Sequence, residues 1–210
     1  MIRTLSLIKR RPDITRDAFR EHYETVHAPL ALPYMEGLER YVRYHLEAEL
    51  VGGIGFDVIS AFWYRDAEST AKLMEVLASE AGKPILEDEL TFMDKPANRF
   101  FPVSERRLVD GEEGDVHDWV LFRKPEALDR SDASKVLVRD HLPALLKACE
   151  GLRFALLRDA FPTQGGEIPW NAVLQLGSDG VKGLEDRAAA LEGEGWGVAA
   201  VRTRRHETAL

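Results

Sequence analysis

The sequence predicts an α+β chain made of two tandem βαββαβ units, and three blocks of self-similarity carry that prediction. His27–Leu38 reads HAPLALPYMEGL and His141–Leu152 reads HLPALLKACEGL, 114 residues apart with six of twelve positions identical. Ordinary residue frequencies would give about one identity. The same offset lays FDVISAFW (Phe56–Trp63) over WNAVLQLG (Trp170–Gly177). Upstream, LSLIKRRP (Leu5–Pro12) aligns with VHDWVLFRKP ending at Pro125, one residue out of that register.

Within the first unit, Ile2–Lys9 is an apolar-rich strand ended by a turn at Pro12 and Asp13. Thr15 can cap the helix that follows, because its hydroxyl can accept a free first-turn amide. Phe19, Tyr23, Val26 and His27 share one side of that helix. Ala28 precedes Pro29, which disfavours the α region, so the helix is expected to end near His27. Gly37 closes the connection, Leu38–Leu46 alternates as a strand, and Phe56–Tyr64 is a third strand. Asp66 caps a helix whose Leu73, Val76 and Leu77 stripe reads as core. Pro84 opens a short helix through Met93, and Arg99–Val103 is the last strand.

The second unit starts near Val116 and repeats this order without the segment Pro84–Ala97. Expected boundaries are 1–104, a polar, acidic, glycine-containing linker over 105–115, and 116–210. One such unit has helices on a single sheet face, so its other face needs a cover. The second copy supplies it, giving two sheets packed face to face as a pseudo-dimer.

Composition narrows the partners. A net charge of -8 and a pI near 5.3 argue against nucleic acid, which selects basic surfaces. No window approaches the ~20 apolar residues of a spanning helix, and a soluble, cytoplasmic protein without membrane contact is expected. The single cysteine, Cys149, allows no intrachain disulfide and reads as a small buried apolar residue. GGIGF (Gly52–Phe56) lacks the strand-turn-helix setting of a dinucleotide loop, and neither a G-x-S-x-G elbow nor a Walker loop occurs.

LIKRRPDITRDAFREHYETVHAPLA carries the spacing Phe19-x-x-His22-Tyr23-x-x-x-His27-x-Pro29. In this it resembles the EthD family of the dimeric α/β-barrel (ferredoxin-like) superfamily. EDELTFMD (Glu87–Asp94) is similar to that family's closing segment, an acidic residue followed by Phe92 and Asp94. The resemblance covers roughly the first 100 residues. It implies a pocket between sheet and helices of a unit, acting on aromatic, polyketide or lactone substrates, often without a cofactor. Some relatives bind haem instead.

On a regular helix, residues five apart diverge by roughly 140°, so His22 and His27 should not chelate one metal, and none is expected. HYETVH is also not the HExxH zinc motif. His22 suits a general acid or base, since an imidazole titrates near neutrality. His27, a hallmark of the family, would sit at a helix end that favours imidazolium. Against that stands His141, which keeps the same His-x-Pro context and points to a turn-locking role.

At the 114 offset His22 becomes Val136, Tyr23 becomes Leu137, Tyr41 becomes Ala155, His45 becomes Asp159 and Trp63 becomes Gly177. The first half is therefore expected to hold the active pocket, with the second retained mainly as a cover. Tyr23, Tyr41, His45, Trp63, Tyr64 and Phe92 are the expected substrate-binding residues. The expected activity is that of a cofactor-independent lyase or isomerase: dehydration, decarboxylation or isomerisation of a small aromatic or polyketide-like ligand. A haem- or O2-dependent oxidative enzyme and a non-catalytic ligand-binding or stress-associated barrel are the alternatives. The duplicated chain would suffice as a monomer, though a homodimer is compatible with it.

Overall fold

The computed structural model describes residues 1–163 and 168–210. The first copy runs β1 (Ile2–Ile8), α1 (Arg16–His22), a π-turn (Tyr23–His27), α2 (Ala28–Ala31), β2 (Leu38–Val51), β3 (Val58–Tyr64), α3 (Ala67–Leu77), α4 (Lys83–Phe92) and β4 (Arg99–Val109). The second runs β5 (Val116–Arg123), α5 (Arg130–Val136), a π-turn (Leu137–His141), α6 (Leu142–Ala148), β6 (Cys149–Glu150), β7 (Phe154–Ala160), β8 (Ala172–Gly177), β9 (Gly180–Val181), α7 (Leu184–Gly193) and β10 (Gly197–Glu207). The hydrogen-bonded strand order β1-β3-β2-β10-β5-β8-β7-β4 is that of a closed barrel, while β6 and β9 form a separate ribbon. Packing divides the chain into two compact units, one of residues 1–45, 55–100 and 206–210, the other of 46–54 and 101–205.

The 114-residue offset holds in the ladders. In the first unit Leu5 faces Ala61 and Tyr41 faces Phe62; in the second Trp119 faces Gln175 and Ala155 faces Leu176. This corrects the one-residue slip expected for the first strand. The prolines mislead there, whereas hydrogen bonds from Asp57 N to Ile8 O and from Asn171 N to Phe122 O fix the true register. Gly37 and Gly151 are also equivalent, each with positive φ. A side chain at either would strike a neighbour, Ser69 Oγ or Asp179 Oδ2.

Each unit packs its helices on one sheet face. Ile8, Tyr41, Val58, Phe62 and Tyr64 meet Phe19, Tyr23, Ala28 and Phe92 in the first. Their counterparts Phe122, Ala155, Ala172 and Leu176 meet Ala133, Leu137 and Leu142 in the second. Thr15 caps α1 by accepting from Ala18 N at 3.2 Å, and Asp129 caps α5 by accepting from Asp132 N at 2.8 Å. Thr15→Ala is expected to cost about 1 kcal/mol, a Tm fall of roughly 2–4 °C in thermal denaturation. An unchanged Tm would mean that the cap contributes nothing to the fold.

Two boundaries differ from expectation. The helix does not end at His27: Ala28 remains helical before Pro29, and helical backbone continues to Tyr34. The cause is the π-turn, closed by the Ala28 N–H on Tyr23 O. This i to i+5 bond widens the coil where the proline ring would otherwise meet the carbonyl four residues back. The second copy repeats the device before Pro143. In addition, β4 extends through Val109, so the first five residues of the expected linker are strand. Their polar alternation hides a ladder that pairs Val103–Val109 with β7. No helix among the described residues is long and apolar enough to cross a membrane.

Candidate active site

The π-turn decides how the two histidines of the first copy relate. A regular helix would turn them apart, but the wider coil brings both rings to one carboxylate, that of Asp88 on α4. His22 Nε2 lies 2.7 Å from Asp88 Oδ1, and His27 Nδ1 lies 2.9 Å from Asp88 Oδ2. The expected divergence is thus overturned by local backbone geometry. Phe92, one helical turn beyond Asp88, closes the group: its ring centroid is 4.6 Å from that of His22 and 5.1 Å from that of His27.

The histidines differ in environment. The His27 side chain is only 7% exposed, whereas His22 is 30% exposed. Burial pushes His27 below its ordinary value, and the hydrogen bond to Asp88 offsets this only in part. The imidazolium expected from the helix end is therefore not favoured, because desolvation outweighs the macrodipole in a helix that continues past it. As a neutral ring, His27 donates from Nδ1 to Asp88.

Glu24, which faces the other way from the same turn, organises a second cluster. Its carboxylate accepts from Arg43 at 2.6–3.0 Å and from His45 Nε2 at 2.5 Å, and it lies 2.9 Å from His206 Nε2. Burial alone would raise the Glu24 carboxyl, but the hydrogen bonds from His45 and Arg43 hold it at about 2. Arg43 carries the balancing charge and lies over the Tyr41 ring, 4.2 Å from its centroid. Burial keeps His45 below its ordinary value, so it serves as a neutral donor.

Tyr41 donates to Tyr23 Oη at 2.9 Å, and Tyr23 Oη lies 3.1 Å from Ser60 Oγ. Burial raises both phenols above their usual range. The structure thus gathers His22, His27, Tyr23, Tyr41, His45 and Phe92 into one cluster. Tyr64 joins its edge by stacking on Phe62 at 6.2 Å. Trp63 alternates to the opposite strand face, where Arg40 lies over its ring. Sequence reasoning missed Glu24, Asp88, Arg43, Ser60 and His206. Asp88 had a signal, since it lies in the segment that only the first copy possesses.

The second copy lacks both hubs. His22 is replaced by Val136 and Glu24 by Val138, and His141 packs against Trp196 instead, with centroids 5.7 Å apart. A cavity of about 480 Å³ opens in this half. Cys149 is half-buried, with burial pushing its thiol up to about 11. No group of three or more His, Cys, Asp or Glu among the described residues could hold a metal ion.

Residues 11–96 match the family model of the EthD domain. Solved structures similar to the chain include an anthrone oxidase-like protein, at 12% identity and TM-score 0.65, covering 100% of this chain and 94% of that one. A putative monooxygenase from Fusobacterium nucleatum subsp. nucleatum is similar at 8% identity and TM-score 0.55, covering 97% and 91%. A putative chlorite dismutase is similar at 10% identity and TM-score 0.53, covering 98% and 95%. At these identities the likeness is one of fold. No curated protein matches the chain.

Proposed function

We propose that residues 11–96, which match the EthD domain model, form the working part of a small-molecule enzyme in which His22, oriented by Asp88, transfers a proton. The observation that carries this reading is the His22–Asp88–His27 arrangement. Asp88 accepts from His27 on one oxygen and from His22 Nε2 on the other, which leaves His22 Nδ1 as the ring atom that takes a substrate proton. His22 is the most open member of the group, as a residue that must meet substrate has to be. His27 and Asp88 position it.

The substrate class that suits this centre is aromatic or polyketide-like. Phe92, 2% exposed, packs behind the His22 ring as an apolar backing and not as a substrate contact, and a C–H or O–H activated by a conjugated carbonyl is acidic enough for an imidazole base. A shifted double bond follows when His22 returns the proton to another carbon of the resulting anion, and loss of water when it delivers the proton to a departing β-hydroxyl; in a decarboxylation the protonated ring instead supplies the proton to the carbon that carbon dioxide leaves. Tyr23, Tyr41 and His45 are too buried to meet substrate in this conformation, so their part is to hold the helix and strand that carry the centre. Turnover of a panel of hydroxylated aromatic ketones tests the reading: His22→Ala should abolish it with circular dichroism unchanged, and equal turnover by the variant would refute it.

An oxidative outcome deserves a separate measurement because one structural neighbour is an anthrone oxidase-like protein. Proton abstraction would be the first step there too, and oxygen uptake followed alongside turnover separates the outcomes. An axial haem ligand needs a histidine nitrogen facing open space; His27, enclosed by Tyr23 and Phe92, and His45, buried on Glu24, do not offer one, and a Soret band in the purified protein would show that another histidine does.

A further inference from the structure

We propose that the cavity of the second half is a binding site for a planar aromatic anion, a carboxylate or phenolate, built from second-half residues alone and independent of the His22 centre. Its volume of about 480 Å³ lies within the range of small-molecule sites. The internal repeat explains how it arises. Phe19, Tyr23 and Val58 fill the corresponding space in the first copy, each essentially inaccessible. Their counterparts are Ala133, Leu137 and Ala172, all smaller and all lining the cavity. A copy kept only as a cover would be expected to close this space, since unfilled apolar volume destabilises a fold.

The walls and charges point to the ligand. Trp196 and Phe161 give flat apolar surfaces, and Phe161 is 43% exposed. Arg130 is the counterpart of Arg16, whose Nε lies 3.2 Å from the Asp57 carboxylate. In the second copy Asp57 becomes Asn171, whose Oδ1 accepts from Lys124 N at 2.7 Å. Arg130 therefore lacks the acid that neutralises Arg16, and it donates instead to Ala160 O. Arg106 and Lys135 also line the space, against a single carboxylate, Asp159. Asp159 is held by Ser134 at 2.9 Å with Arg106 at 3.7 Å, and Lys135 is tied to Asp132 at 2.8 Å. Arg130 is thus the charge that a ligand anion would meet, and its planar fork matches a carboxylate.

The probe is 2-naphthoate, with 2-naphthamide as its neutral counterpart, measured by calorimetry and tryptophan fluorescence on the full chain. Saturable one-to-one binding of 2-naphthoate is expected, about tenfold tighter than the amide. Arg130→Gln should erase that preference by weakening 2-naphthoate alone. Ala133→Phe, which restores the filling ring of the first copy, should abolish binding of both, and His22→Ala should bind as the unaltered chain does. Absence of saturable 2-naphthoate binding, affinity unchanged in Arg130→Gln, or binding lost in His22→Ala would each overturn the proposal. Should Ala133→Phe not fold, the charge comparison in Arg130→Gln decides alone.

Discussion

Asp88→Asn is expected to lower kcat by about 10²- to 10⁴-fold, with Tm falling by only a few degrees. An ionised carboxylate only accepts hydrogen bonds, so Asp88 requires an N–H from both rings it touches. An amide in its place can turn its NH2 toward His22 Nε2. That would stabilise the ring form with its proton already on Nδ1, the atom that must accept the substrate proton. Inverting a tautomer removes the base without emptying the site, and general acid–base catalysis contributes on this scale. His22→Ala should lose a similar factor, and the double variant little more, because the two residues act as one unit. Steady-state kinetics read the result, and a kcat within a few-fold of the unaltered enzyme in Asp88→Asn would show that the carboxylate does not control the base.

The second large effect concerns stability. Glu24→Gln leaves the Arg43 guanidinium, 1% exposed, without its counter-ion, which typically costs about 3–5 kcal/mol. Thermal melting should show a Tm fall on the order of 10 °C, and a shift under 2 °C would mean that Arg43 finds another partner. Acid titration gives a further signature. The Glu24 carboxyl sits at about 2 in the fold against 4.5 ordinarily, so its stabilisation is complete above pH 4.5 and is lost as pH falls towards 2. Burial holds His117 down at about 4 against 6.5, so the unfolded chain takes up its proton first, and stability also declines between pH 6.5 and 4. Glu24→Gln should remove the lower of these two windows and keep the upper.

Most of the fold was legible because a repeat makes each half a control on the other. The strand and helix order, the cap at Thr15 and the glycine at position 37 could all be read from residue chemistry. What escaped was backbone geometry that propensity does not encode. The rule against helix before Pro29 is sound, yet one π-turn circumvents it and converts a five-residue histidine spacing from divergent to convergent. His22 and His27 were therefore found individually, while their shared acid was not. Asp88 lies 61 residues beyond His27, and no local pattern ties the two. His206 is farther still, brought to Glu24 by the final strand. The cavity of the second half escaped for a related reason: the exchange of Phe19 for Ala133 is a loss of side chain in sequence, and only the fold shows that it lines an open space.

Whether His22, held by Asp88, moves a proton can be read by solvent deuterium exchange without presupposing the final product. An activated aromatic ketone is incubated in D2O with the full chain, and incorporation at the acidic C–H is followed by NMR. Protein-dependent exchange is expected, falling at least 10²-fold in both His22→Ala and Asp88→Asn. Exchange that proceeds undiminished in His22→Ala would contradict that role.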